Sequence, residues 1–154
     1  MDKEKKYAEL LPQLAAVVEG EQDMIANMAN VSAILQEEFH FWWTGFYRVL
    51  DGMLVLGPFQ GPMACTRIAK GKGVCGTSWM RDETIVVPDV HLFPGHIACD
   101  CASQSEIVVP LRNEKGEVTA VMDIDSPVLS RFSEADRLGL EAFARTLEQA
   151  LKGL

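Results

Sequence analysis

Apolar residues in this chain keep a helical period at both ends and change to short β-rich runs in between, and that change of period leaves few architectures open. From Lys3 to Phe39, Met24, Met28, Val31, Leu35 and Phe39 recur at steps of four, three, four and four, which draws one apolar stripe on a helix. Pro12 and Gly20 are expected to divide this zone into two helices. Then come FWWTGFYRVL (41–50), MLVLGPF (53–59), ETIVVPDV (83–90), EIVVPLR (106–112) and EVTAVMDIDS (117–126). The turn pairs Asp51-Gly52 and Lys115-Gly116 between such runs predict antiparallel hairpins. Ser133 with Asp136 three residues on reads as a helix start, and Leu140, Phe143, Leu147 and Leu151 continue a stripe behind it. The expectation is an α+β fold with a central antiparallel sheet and the N-terminal and C-terminal helices packed on one face. A single domain is expected over 1–154, with helices in 1–40, sheet and loops in 41–126 and a helix in 133–152, since no repeat or linker interrupts the chain.

Charge and length narrow the function. The 154 residues include 14 basic and 22 acidic side chains, a net charge of -8, and no Lys/Arg cluster, which argues against nucleic acid and anionic membrane as partners. A chain of this length buries about 70% of its unfolded surface, enough for a core without staples. No apolar run nears the roughly 18 residues of a membrane helix. The opening MDKEKKYAEL has no apolar segment of the signal-peptide kind. The expected location is the cytoplasm, where thiols stay reduced.

Four cysteines therefore need a role. All lie between Gly57 and Ser105, in loop-rich sequence, in the order Cys65, Cys75, His91, His96, Cys99, Cys101. Long irregular segments inside a compact domain are usually functional. A zinc site needs ligand pairs a few residues apart, and only Cys99 and Cys101 meet that spacing, so no metal is expected. Inert burial suits any one cysteine taken alone. It suits four in glycine- and proline-flanked loops less well, which leaves thiol chemistry. The string Gly71-Lys72-Gly73-Val74-Cys75-Gly76 fits G-x-G-x-x-G, yet only seven residues separate it from the next strand run at Thr84, too few for a crossover helix. It reads as a turn that places Cys75.

The runs GPFQGPMACTRIAKGKGVCGTSW (57–79), VVPDVHLFPGHIACD (86–100), SEIVVPL (105–111) and DIDSP (123–127) resemble the free methionine-(R)-sulfoxide reductases, small GAF-domain enzymes, over nearly the whole chain. The resemblance implies a single GAF domain that reduces free L-methionine-(R)-sulfoxide. It implies Cys99 as the attacking cysteine, Cys65 as the principal resolving one and Cys75 as auxiliary. Glu106, Asp123 and Asp125 match the family's binding carboxylates, and Trp43 and Tyr47 its aromatic wall. Asp123 and Asp125, two apart on a strand, share a face. Cys101 departs from the family pattern, and the sequence leaves three complete pairings of the four cysteines open.

The implied chemistry needs no cofactor. A thiolate takes the sulfoxide oxygen and becomes a sulfenic acid, and a second thiol condenses with it to a disulfide and water. An external dithiol, with thioredoxin the expected partner, reopens that bond. His91 and His96 read as backbone supports of the VHLFPGH loop rather than as catalytic groups. A homodimer is expected from the resemblance and the apolar terminal helices. The alternative is a non-catalytic GAF module that binds a small molecule or senses redox state, which would oxidise stoichiometrically where an enzyme turns over.

Overall fold

The computed structural model describes residues 2–96 and 102–151, so Cys99 and Cys101 lie outside the described residues. Helices α1 (Lys3–Val18) and α2 (Met24–Phe39) precede strands β1 (Trp43–Leu50), β2 (Met53–Gln60) and β3 (Arg67–Ala69). Helix α3 (Gly73–Arg81) leads to β4 (Ile85–Val87), a 3-10 turn at Val90–Leu92, β5 (Ser105–Arg112), β6 (Val118–Ser126) and α4 (Glu134–Ala150). The strands form one antiparallel sheet in the order β3-β2-β1-β6-β5-β4. Asp51 and Gly52, with φ of 50° and 76°, make the tight left-handed turn that joins β1 to β2.

The α+β expectation holds, and α1, α2 and α4 occupy one side of the sheet. There α2 lies against β1 and β2, α4 against β5, and α1 packs mainly on α4. Alternate residues of the central strands, Phe46, Ile107, Val109, Met122 and Ile124, meet Leu14, Leu35, Leu140, Phe143 and Leu147 in one apolar core. The opposite face of the same strands carries Trp43, Tyr47, Val108 and Val121, covered by Val74, Cys75 and Trp79 of α3. One face thus stabilises the fold, which leaves the other able to hold polar groups.

Three local expectations are corrected. Helix α1 runs through Pro12 without a break and ends before Gly20, whose φ of +78° only glycine adopts readily. Tyr7, Leu10, Leu14 and Val18 are buried on both sides of the proline, and that packing outweighs the ~3 kcal/mol an interior proline costs. The glycine string is no mere turn: Gly73–Arg81 is a nine-residue helix, with Cys75 in its first turn. A Cβ at Gly76 would lie 2.5 Å from the carbonyl oxygen of Ala69, so glycine is what lets this helix sit against the end of β3. The third correction is β3 itself, a three-residue edge strand too short to show a period.

The two termini are tied by one buried acid. Asp136, fully buried in the first turn of α4, accepts from Lys3 Nζ at 2.6 Å, Tyr7 Oη at 2.8 Å and the Ser133 amide at 2.7 Å. Burial pushes its carboxyl up, but these hydrogen bonds outweigh burial and hold it below the usual range. Replacing Tyr7 by Phe leaves Oδ1 of Asp136 without this donor. The expected loss is about 1–3 kcal/mol in urea unfolding, against nearly none if the hydroxyl is dispensable.

Candidate active site

The register of the three central strands lines up a row of acidic and aromatic side chains on the face away from the helical core. Trp43 of β1 pairs with Asp125 of β6, which pairs in turn with Glu106 of β5. In the next row on the same face, Gly45 pairs with Asp123 and Asp123 with Val108. Tyr47 follows two residues on from Gly45, as strand alternation requires. The chain shifts register between Gly45 and Tyr47, a bulge of the kind that re-aims side chains beside sites.

Gly45 is what makes room. A Cβ there would run into the Cβ of Phe59 and stand 2.7 Å from Cη2 of Trp43, so the indole lies over the bare backbone. Trp43 stacks on Phe59 at 5.2 Å and lies 6.1 Å from the Tyr47 ring, while its Nε1 donates to the Pro62 carbonyl at 3.0 Å. The Tyr47 hydroxyl donates to the carbonyl of Cys65 at 2.8 Å. Both aromatic residues of the wall therefore pin the 61–66 loop by its backbone.

These groups line a small cavity of about 60 Å³. Trp43, Tyr47, Cys75, Glu106, Asp123 and Asp125 all line it, together with His96 and Ser103, and among the described residues no lysine or arginine does. Ser103 donates to Asp125 Oδ1 at 3.3 Å. Glu106 shares hydrogen bonds with Asp123 and Asp125, and the Cys75 thiol donates to Asp123. One oxygen of Asp123, Oδ1, is buried without a hydrogen-bond partner among the described residues.

Packing acids this way perturbs Glu106 and Asp123. Burial, then the charges of Asp123 and Asp125, push the Glu106 carboxyl well above the usual range. Burial also raises Asp123, against hydrogen bonds from Glu106 and Cys75 that lower it. The Cys75 thiol is pushed well up, by burial first and then by Asp123, Glu106 and Asp125. Such a thiol is a poor nucleophile in this state. Cys65 is half-buried and disulfide-bonded, whereas Cys75 is a free thiol, so these two are not joined to each other.

Residues 23–151 match the GAF domain. The chain is 47% identical to the free methionine-R-sulfoxide reductase of Escherichia coli over 98% of its own length and 92% of the relative's. It is 37% identical to the enzyme of that name from Saccharomyces cerevisiae, over 97% and 88%. The free methionine-R-sulfoxide reductase of Neisseria meningitidis, solved in complex with its substrate, superposes with a TM-score of 0.96 at 49% identity, covering 99% of this chain and 92% of that one. The chain belongs to the free methionine-(R)-sulfoxide reductase family of GAF-domain proteins.

Within this family member, Trp43, Tyr47, Cys75, Glu106, Asp123 and Asp125 come together around one cavity, and Cys65 adjoins it through Tyr47 and through its neighbour Ala64, which lines the cavity. Cys99 and Cys101 lie outside the described residues. Sequence reading passed over Gly45 and Ser103. Gly45 had a signal, since it sits between Trp43 and Tyr47 on their shared face; Ser103 had none, its partner being 22 residues away.

Glu106 has a higher pKa folded than unfolded, so the stability it lends is full at low pH and is lost as pH rises through the raised value. Glu106→Gln keeps an amide for Asp123 and Asp125 but carries no charge. The variant is expected to gain stability relative to the parent between about pH 5 and about pH 8. Thermal unfolding at the two pH values should show a relative gain of about 2–4 °C, the equivalent of about 1 kcal/mol in a chain of this size. A difference in Tm independent of pH would show that Glu106 is already ionised at the lower value.

Proposed function

We propose that this protein reduces free L-methionine-(R)-sulfoxide to L-methionine, with cysteine thiols as the immediate reductant and thioredoxin as the external one. The observation that carries the reading is the acidic row of buried Glu106 and Asp123 and half-buried Asp125, with Asp123 Oδ1 unpaired and no basic side chain lining the cavity among the described residues. A cavity of this charge favours a ligand that brings its own cation, and the ammonium of a free amino acid does so. Trp43 supplies a flat apolar surface for the methyl and sulfur end. The relatives named above carry the same activity in their names.

The reaction balances on three thiol steps. The Cys99 thiolate attacks the sulfoxide sulfur, the substrate oxygen takes up a proton and passes to the Cys99 sulfur, and the sulfur-sulfur bond just formed breaks to release L-methionine and leave a Cys99 sulfenic acid. Glu106, whose carboxyl burial pushes well above the usual range, is the acid assigned to supply that proton. The thiol of Cys65 then displaces water from the sulfenic acid and forms an intramolecular disulfide, with Cys75 as the auxiliary thiol. A thioredoxin dithiol exchanges with that disulfide and restores both thiols. The acidic wall raises the pKa of a thiol near it, so the substrate's ammonium also activates the nucleophile by offsetting that charge. The cytoplasm, which keeps such a thiol system reduced, and a homodimer complete the proposal.

Turnover separates this from a redox-sensing GAF module. With thioredoxin, its reductase and NADPH, the protein should consume many equivalents of free L-methionine-(R)-sulfoxide; one equivalent and no more would overturn the reading. Asp123→Asn should raise KM about 10- to 100-fold, the worth of one charge-assisted hydrogen bond. The N-acetylated sulfoxide, which has no ammonium, should be turned over poorly by the parent. Cys99→Ser should lose turnover altogether, and disulfide mapping after one equivalent of substrate identifies the resolving partner.

A further inference from the structure

Three donor atoms of different chemistry converge on the inner wall of the cavity. The Sγ of Cys75 and one carboxylate oxygen each from Glu106 and Asp123 lie within 4.8 Å of one another. All three residues are more than nine-tenths buried, and among the described residues Asp123 Oδ1 has no hydrogen-bond partner. Each comes from a different element: α3, β5 and β6. A thiol and two acids held together in this way, with one oxygen unsatisfied, match the donor set of a borderline-soft cation.

We propose that Cys75, Glu106 and Asp123 form an inhibitory binding site for a divalent cation of the zinc type, which excludes substrate from the cavity. On binding, the Cys75 thiol gives its proton to solvent and its sulfur bonds the ion. Asp123 contributes its unpaired oxygen, and Glu106 an oxygen now hydrogen-bonded within the acid cluster. Bonds of about 2.0–2.3 Å in tetrahedral geometry place donors about 3.5 Å apart, so closing this site takes side-chain adjustment rather than backbone movement. Three protein ligands leave a fourth position facing the cavity, for water. Thiolate in the set favours zinc, cobalt or cadmium over magnesium and calcium, which prefer all-oxygen sites.

The site stands on geometry alone, whereas the exclusion of substrate rests on the proposed reductase reading, because the ion takes the Asp123 oxygen assigned there to the ammonium. Among the described residues Cys75 is the free thiol, Cys65 being disulfide-bonded. The site therefore persists in the disulfide form, in which no turnover complicates a binding measurement.

Cobalt(II) is the probe. Added to the disulfide-intact full chain without reductant or chelator, it should give a thiolate-to-metal charge-transfer band that saturates near one equivalent and disappears when zinc is added. Cys75→Ser should abolish the band, and Glu106→Gln and Asp123→Asn should each weaken cobalt binding at least about tenfold. Circular dichroism checks that each variant is folded, and if Cys75→Ser is not, the two carboxylate variants decide the assignment. No band with the parent, a band that survives in folded Cys75→Ser, or undiminished affinity in both carboxylate variants overturns the site. L-methionine-(R)-sulfoxide should raise the apparent cobalt dissociation constant in proportion to its concentration. If it leaves that constant unchanged while the reductase assay shows turnover, the exclusion of substrate is overturned and the reductase reading stands.

Discussion

Three carboxyl groups on adjacent antiparallel strands, placed side by side by register and away from bulk water, are the constraint around which the rest of this protein is organised. Glu106, Asp123 and Asp125 cannot all be ionised at such proximity without a cation, and burial raises the cost further. The fold tolerates this because the other face of the same strands is predominantly apolar. Phe46, Ile107, Met122 and Ile124 alternate with the acids and bury themselves under α2 and α4. Stability is supplied on one side and spent in chemistry on the other.

The cavity depends as much on a missing side chain as on those present. Gly45 faces Asp123 across the β1–β6 pair, and its lack of a Cβ lets the Trp43 indole lie down beside Phe59. Trp43 and Tyr47 then spend their polar atoms on Pro62 and Cys65 backbone carbonyls. The loop that carries Cys65 is thereby fixed by the same two rings that wall the pocket, so position of the thiol and shape of the cavity are coupled. On the opposite side, the close approach of Gly76 to β3 seats the first turn of α3 and carries Cys75 to the acids.

This arrangement sets Cys75 apart from an exposed thiol. Buried, hydrogen-bonded to Asp123 and surrounded by acids, its thiol is pushed well above the ordinary range. The same surroundings make it a good ligand once a cation supplies the missing charge. In the proposed reading a substrate ammonium and a zinc-type ion answer one electrostatic demand, so a pocket that attracts the first is exposed to the second.

Much of this was legible in one dimension. Period decided the elements: the stripe ending at Phe39, the alternation through Trp43, Gly45 and Tyr47, and the Ser133 to Asp136 spacing each report a local geometry that nearest neighbours along the chain enforce. The resemblance supplied the site residues, and Asp123 with Asp125 fell on one face because strands alternate. What local pattern could not reveal were balances between distant parts. Pro12 stays inside a helix because residues on either side of it are buried against α4, and the glycine string becomes a helix because Gly76 fits against Ala69. Sequence alone determined which residues carry charge, sulfur and ring. Only the tertiary structure decided that Glu106, Asp123 and Cys75 share one buried wall that no lysine or arginine among the described residues lines, because burial and strand register belong to the folded sheet and not to any segment of it.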